Sequence, residues 1–176
     1  MTMDTRRAVP DGFRIGGVFH FSHYGPEGQL VDEWDAPNLI TNQGLNHALG
    51  VVLAAATQAA SWYVMLKDAT GDPLDGTETY QTKVFTEITA YDEATRPAWN
   101  PATISGQSVA NTATVAAFTI NASTTVVGAA MADSAVKAGS TAGHYMFCAA
   151  NFASAKALVS GDTLEVTYTL TAATSS

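Results

Sequence analysis

Between residues 15 and 34 the apolar positions fall at a period of two. Ile15, Val18, Phe19, Phe21 and Tyr24 lie in one such stretch and Gln29 to Trp34 form another, with Gly25-Pro26-Glu27-Gly28 between them. Proline presets φ for the first turn position and glycine supplies a positive φ. The pattern therefore predicts a β-hairpin, with Pro37 ending its second strand. The period then changes. Leu45, Ala48, Leu49, Val52, Leu53 and Ala56 recur at helical spacing, which predicts one amphipathic helix near residues 42–57, capped by Thr41 or Asn42. Leu49 and Val52 are expected to face a sheet, with Gln43 and Asn46 outside. Gly44 and Gly50 each cost about 1 kcal/mol relative to alanine, so packing must hold this helix, and Gly50 is a candidate for close backbone approach.

Ser61 to Leu66 reads as a buried strand and residues 67–77 as a long polar loop. Residues 78–86 fit either a helical turn or a strand. Thr86 to Tyr91 reads as a strand, and Arg96-Pro97 as a bend. Beyond Thr103 the chain becomes short β runs at roughly 8–12-residue spacing, the signal of an all-β sandwich. These runs are Val115–Ile120, Thr124–Met131, His144–Cys148, Ala155–Val159 and Thr163–Leu170, with Ser160-Gly161-Asp162 read as a hairpin turn. In the last run Leu164, Val166, Tyr168 and Leu170 share one face and Glu165, Thr167 and Thr169 the other, as in a half-solvated antiparallel sheet. The fold class that follows is mainly β: an antiparallel β-sandwich, jelly-roll-like or immunoglobulin-like, with the helix on an edge or end. Residues 1–12 are polar, carry Pro10 and Gly12 and lack periodicity. They read as a flexible N-terminal arm, and 13–176 as a single domain.

Composition changes this picture in two ways. Eight basic against sixteen acidic residues leave a net charge of −8, which argues against nucleic acid as a partner, because phosphate binding needs clustered Lys and Arg. Charged residues are only 14% of the chain, while 31 Ala and 23 Thr make up 54 of its 176 residues. So little charge cannot cover a monomer, and part of the surface is expected to meet protein, through self-association as a dimer or trimer. The longest near-apolar run, residues 48–56, is less than half of the ~20 residues a membrane span needs. No secretory pattern follows the two arginines near the start, so synthesis in a cytoplasm is expected.

No residue pattern carries a recognised chemistry. His20 and His23 fall on opposite faces of one strand because their spacing is odd, and His47 and His144 stand in no zinc-binding spacing. The loop containing Asp68, Asp72, Asp75 and Glu78 is rich in oxygen but departs from the calcium-loop spacing. Glu87, Asp92, Glu93 and Arg96 form the one mixed-charge cluster, read as a structural ion pair that pins the chain before Pro97. Cys148 excludes a disulfide framework and any cysteine-based zinc site within one chain. Catalytic, cofactor and metal residues are therefore expected to be none. The candidate partner-binding residues are Arg6 and Arg7, two of the eight cations, on the N-terminal arm.

Three segments together resemble a known group. They are Phe19 to Trp34 running into Asn38-Leu-Ile-Thr-Asn42-Gln-Gly44-Leu45-Asn46; Ser61-Trp62-Tyr63-Val64 with Phe85-Thr86-Glu87 and Arg96-Pro97; and Asn111 to Asn121 with Ser160 to Leu164. The series is similar to small structural proteins from the morphogenesis regions of tailed bacteriophages. That resemblance implies a non-enzymatic virion protein, expected to be a capsid cement or decoration protein that bridges shell subunits. Its partners would be the major capsid protein or other virion proteins. The alternative within the group is a tail, baseplate or fibre component used in adsorption.

Overall fold

The computed structural model describes residues 12–68 and 75–175. Ten strands and one helix follow in chain order: β1 (Gly12–Tyr24), β2 (Leu30–Pro37), β3 (Leu39–Ile40), α1 (Asn42–Leu53), β4 (Trp62–Lys67), β5 (Ala98–Trp99), β6 (Ser108–Ala110), β7 (Ala116–Thr119), β8 (Thr124–Ala132), β9 (Met146–Leu158) and β10 (Thr163–Ser175). They build two antiparallel sheets. The first has the order β2-β1-β10-β6, with β7 also paired to β10; the second has the order β3-β9-β8-β4-β5. The mainly β, two-sheet architecture with a single helix agrees with the sandwich read from the sequence.

The β1–β2 hairpin forms as its turn chemistry predicts. Gly28 takes a φ of 79°, its N–H donates to the Gly25 carbonyl, and Phe21 lies opposite Trp34. Gly12, read from sequence as the end of the arm, opens β1 instead. The first and last strands pair along their whole length, from Gly12 opposite Ser175 to Tyr24 opposite Thr163. In β10 the alternation is as expected: Leu164, Val166 and Tyr168 are fully buried, while Glu165, Thr167 and Thr169 lie on the half-solvated face.

The core sits between the sheets. Phe19, Phe21, Val166 and Tyr168 from the first meet Val64, Leu66, Met131 and Cys148 from the second. A smaller cluster covers the far side of the second sheet, where Tyr80 and Phe85 lie on Met65, Ala130, Ala132 and Ala149. That sheet is thus buried on both faces, which accounts for the unbroken apolar run of β4. Ala130 and Ala132 of β8 and Ala149 of β9 lie in this cluster, where small side chains let Tyr80 and Phe85 lie close.

Four expectations change. The runs at 144–148 and 155–159 are one strand, β9, interrupted by a wide bulge: Val126 lies opposite Lys156 but Gly128 opposite Asn151. The displaced Phe152 packs edge-on against Phe21 and Trp34 of the first sheet. Ser160-Gly161-Asp162 is not a hairpin turn. It carries the chain from β9 in one sheet to β10 in the other, with Gly161 at φ 95°. Residues 86–91 form no strand and hold only isolated bridges, Lys67 to Glu87 and Tyr91 to Ile120. The helix ends at Leu53 rather than 57, where Ala55 turns left-handed at φ 53° and both the Ala54 and Ala56 N–H groups donate to the Gly50 carbonyl.

Candidate interaction surface

Helix α1 lies against β9, but it is rotated from the orientation its apolar spacing predicts. Thr41 is the N-cap: its hydroxyl oxygen accepts the Gly44 N–H at 2.9 Å and donates to the Met146 carbonyl at 2.5 Å. Gln43, expected outside, points inward. Its amide oxygen accepts the N–H groups of Tyr80 (3.0 Å) and Met146 (2.8 Å), and its amide nitrogen donates to the His144 carbonyl at 3.0 Å. Gly44 and His47 are the buried residues of the helix. His47 packs on Trp62 and Tyr145, and a Cβ on Gly44 would collide with the Phe147 carbonyl oxygen. The close approach is therefore at Gly44, not Gly50. Hydrogen bonds from Thr41 and Gln43 favour this inward face, because a buried unpaired backbone group costs about 1–3 kcal/mol.

The consequence is an exposed aliphatic face. Leu49 is 52% accessible, Val52 and Leu53 are each 77%, and Leu45 is 38%. Leu49 and Val52, expected against the sheet, are thus on the outside. With Ile15 of β1 and Ala48 they line a groove of about 420 Å³. Ile15 also borders a second depression of about 220 Å³, formed with Ile104, Val109, Leu170 and Ala172, where Ile104 is 72% accessible. One end of the sandwich thus carries adjoining apolar surface with no charged side chain lining either depression. A contiguous apolar patch of this kind is the candidate interaction surface of the domain.

The titratable groups are placed elsewhere. His20 and His23 do fall on opposite faces. His20 Nδ1 is 2.8 Å from Asp35 Oδ1 and its Nε2 is 3.5 Å from Ser22 Oγ. The order is that of a serine–histidine–aspartate relay, but the geometry does not serve one. Ser22 donates to Glu33 at 3.1 Å rather than to the histidine. Strand β1 lies between β2 and β10, so its N–H groups are engaged in ladders and unavailable as oxyanion donors. His23 is buried against Asp162 at 2.9 Å, where it braces the inter-sheet turn. His144 is 3.1 Å from Asp133. No group of three or more His, Cys, Asp or Glu side chains among the described residues is placed to hold a metal. Of the acidic loop, residues 69–74 lie outside the described residues. The Thr77 N–H bonds Asp75 at 2.8 Å and holds its carboxyl below the usual range.

Arg96 does form an ion pair, and a deeper one than its setting in the sequence implies. It is 1% accessible and grips Glu87 with two bonds of 2.7 and 2.6 Å, while donating also to Tyr80 Oη and the Ser134 carbonyl. Cys148 is fully buried and its thiol is pushed up to about 12, by burial above all. It lies against Tyr168, whose hydroxyl accepts from Asn38 at 2.9 Å. Both Arg96 and Cys148 are bound into the core.

No protein-family model and no curated protein sequence matches the chain. Arg6 and Arg7 lie outside the described residues. Among those residues, no helix is long and apolar enough to cross a membrane. What the arrangement can do chemically is therefore read from the apolar end: it can bury aliphatic surface against another protein.

Proposed function

We propose that the chain is a non-enzymatic structural protein of a tailed-phage virion, a capsid cement or decoration protein that stabilises the head by bridging shell subunits. The observation that carries this reading is the exposed aliphatic end formed by α1, Ile15 and Ile104. Such a surface fits a role exercised by interfacial burial. Repetition over many copies makes modest affinity per contact sufficient. The similarity of the hairpin and the Asn38–Asn46 segment to phage morphogenesis proteins selects the virion among possible assemblies.

The test is copy number and binding. Quantitative mass spectrometry of purified particles is expected to find several hundred copies per head. A handful to a few tens would place the chain in the tail, baseplate or fibre, and none would remove it from the virion. The two arginines are tested in the same assay. Deleting residues 2–10 is expected to weaken attachment to heads and lower their heat stability, because Arg6 and Arg7 can make charge-assisted bonds to acidic groups on a neighbouring subunit. Unchanged attachment would leave the arm without a role in docking.

A further inference from the structure

We infer that residues 6–9 of this chain add to the open edge of β1 as a short strand, joined to it by a three-residue loop at Pro10-Asp11-Gly12, and so cover the groove between Ile15 and α1 with a segment of the same chain. Part of β1 has backbone groups with no strand to meet. Strand β2 pairs with β1 only from Val18, opposite Pro37, to Tyr24, whereas β10 pairs with β1 down to Gly12. Beside residues 12–16 on the β2 side there is no described strand. Two observations show which residues point that way. The Asn38 N–H donates to the Gly17 carbonyl at 3.0 Å and the Gly17 N–H to the Asn38 side-chain oxygen at 2.7 Å, so Gly17 faces the β2 side. On the far side, the N–H of Ala172, opposite Ile15, donates to the Gln107 carbonyl at 2.9 Å and not to Ile15. Strand alternation then turns the N–H and C=O groups of Phe13 and Ile15 to the open edge. Such an edge is a template for strand addition.

The residues that precede Gly12 are the nearest occupant. Gly12 is three residues from Ile15 on the same strand, and chain continuity makes the pairing intramolecular, at an effective concentration in the millimolar range. The sequence there is Val9-Pro10-Asp11-Gly12. Proline suits the first central position of a type I turn, and glycine the left-handed residue that follows it in a three-residue hairpin loop. Sequence and backbone agree on the register. A two-residue loop would make Gly12 bond to the arm, but alternation directs Gly12 to β10. A three-residue loop places Val9 opposite Phe13 and Arg7 opposite Ile15, the two residues whose backbone groups face the open edge. Paired residues share a face, so Val9 and Arg7 lie on the Ile15 face of the sheet. On that face the groove of about 420 Å³ runs between Ile15 and the aliphatic side of α1, and α1 begins four residues after Asn38 leaves this edge. Val9 fills part of the groove, and the aliphatic stem of Arg7 lies along it with the guanidinium at the rim. The depression around Ile104 is formed with β6 and β10, on the other side of β1, and stays open to a partner.

The experiment measures amide hydrogen exchange by NMR on the full chain and on a chain lacking residues 2–9. The Ile15 N–H is expected to exchange at least about tenfold more slowly in the full chain. The Arg14 and Gly16 N–H groups, which alternation directs to β10, should be protected in both and show that β1 is intact. Arg7→Pro removes the N–H that faces Ile15 and should release Ile15 as the deletion does, while Asp4→Pro, outside the added strand, should not. The protection is expected to persist on about tenfold dilution, as an intramolecular contact must. Equal exchange at Ile15 with and without residues 2–9 overturns the inference, and so does protection that Arg7→Pro leaves intact or that Asp4→Pro abolishes. Protection that fades on dilution assigns the edge to a second copy and overturns it too. The measurement is made on the free protein, so its outcome does not depend on copy number or attachment in particles, and failure of the virion reading would leave it standing.

Discussion

Arg96 and Glu87 show how strongly a single pair can hold an irregular segment in place. Residues 86–91 form no continuous ladder and are held by isolated backbone bonds, among them the Asp68 N–H to the Thr86 carbonyl and the Ile88 N–H to the Leu66 carbonyl, to which side chains add. The guanidinium ties Glu87 to Tyr80 and to the Ser134 carbonyl, and the Ala138 N–H donates to Glu87 at 2.8 Å. Arg96→Met would strand a buried carboxylate, and the expected loss is about 3–5 kcal/mol, read as a lower denaturant midpoint. Replacing both partners by apolar residues of similar volume is expected to recover most of that loss. A second expectation concerns alkaline pH. Burial raises the Cys148 thiol to about 12 and the Tyr168 phenol well above its ordinary value, with the thiol adding to the shift at Tyr168. In the unfolded chain these groups ionise near about 8.5 and 10. Above those values the unfolded state has lost protons that the folded state keeps, so stability falls as pH rises, by up to about 1.4 kcal/mol per pH unit for each group. Thermal melts should be insensitive to these two groups below about pH 8 and decline above it. Cys148→Ala should move the onset of their contribution towards pH 10.

Helix α1 is the element in which periodicity and packing disagree. Its leucines and valines stand at helical spacing, yet the buried stripe is Gly44 and His47, flanked by the hydrogen-bonded Gln43. If Leu49 were fully buried, Leu49→Ala would cost about 2–5 kcal/mol. At its observed exposure the expected change is within about 0.5 kcal/mol. Gly44→Ala should be the damaging substitution, at about 1–3 kcal/mol, since the added methyl meets the backbone oxygen of Phe147 rather than a side chain that can move. Urea denaturation of the two variants distinguishes the orientations, because the opposite helix face would reverse their order. The bulge in β9 is a comparable case. It breaks the alternation that separates strand from loop in a sequence, so one long strand reads as two, and its purpose is visible only in Phe152 reaching across to Phe21 and Trp34.

At the scale of the whole molecule, the pairing of β1 with β10 closes the fold. The middle of the first sheet cannot form until the last strand is available, and Asn111 adds to its hold on that strand. The Asn111 side chain donates to the Val166 carbonyl at 3.1 Å and accepts the Tyr168 N–H at 2.7 Å, in the gap between β6 and β7. A chain ending before residue 163 is therefore expected to lack cooperative unfolding and the near-ultraviolet dichroism of a packed core. Folding of the full chain should fall in the millisecond-to-second range of sandwich topologies, measurable by stopped-flow tryptophan fluorescence. The β1–β2 hairpin, the alternating faces of β10, the buried β4 and the helix with its cap at Thr41 or Asn42 were legible along the chain, because each depends on residues close in sequence whose period or turn chemistry is local. The partners of the other strands, the crossing at Gly161 from one sheet to the other and the burial of Arg96 were not, because they pair residues far apart in the chain. The same holds for the candidate surface. An apolar stripe announces that a helix buries something; which face does so was decided here by hydrogen bonds from Thr41 and Gln43 to backbone about a hundred residues away, and that choice left the leucines outside.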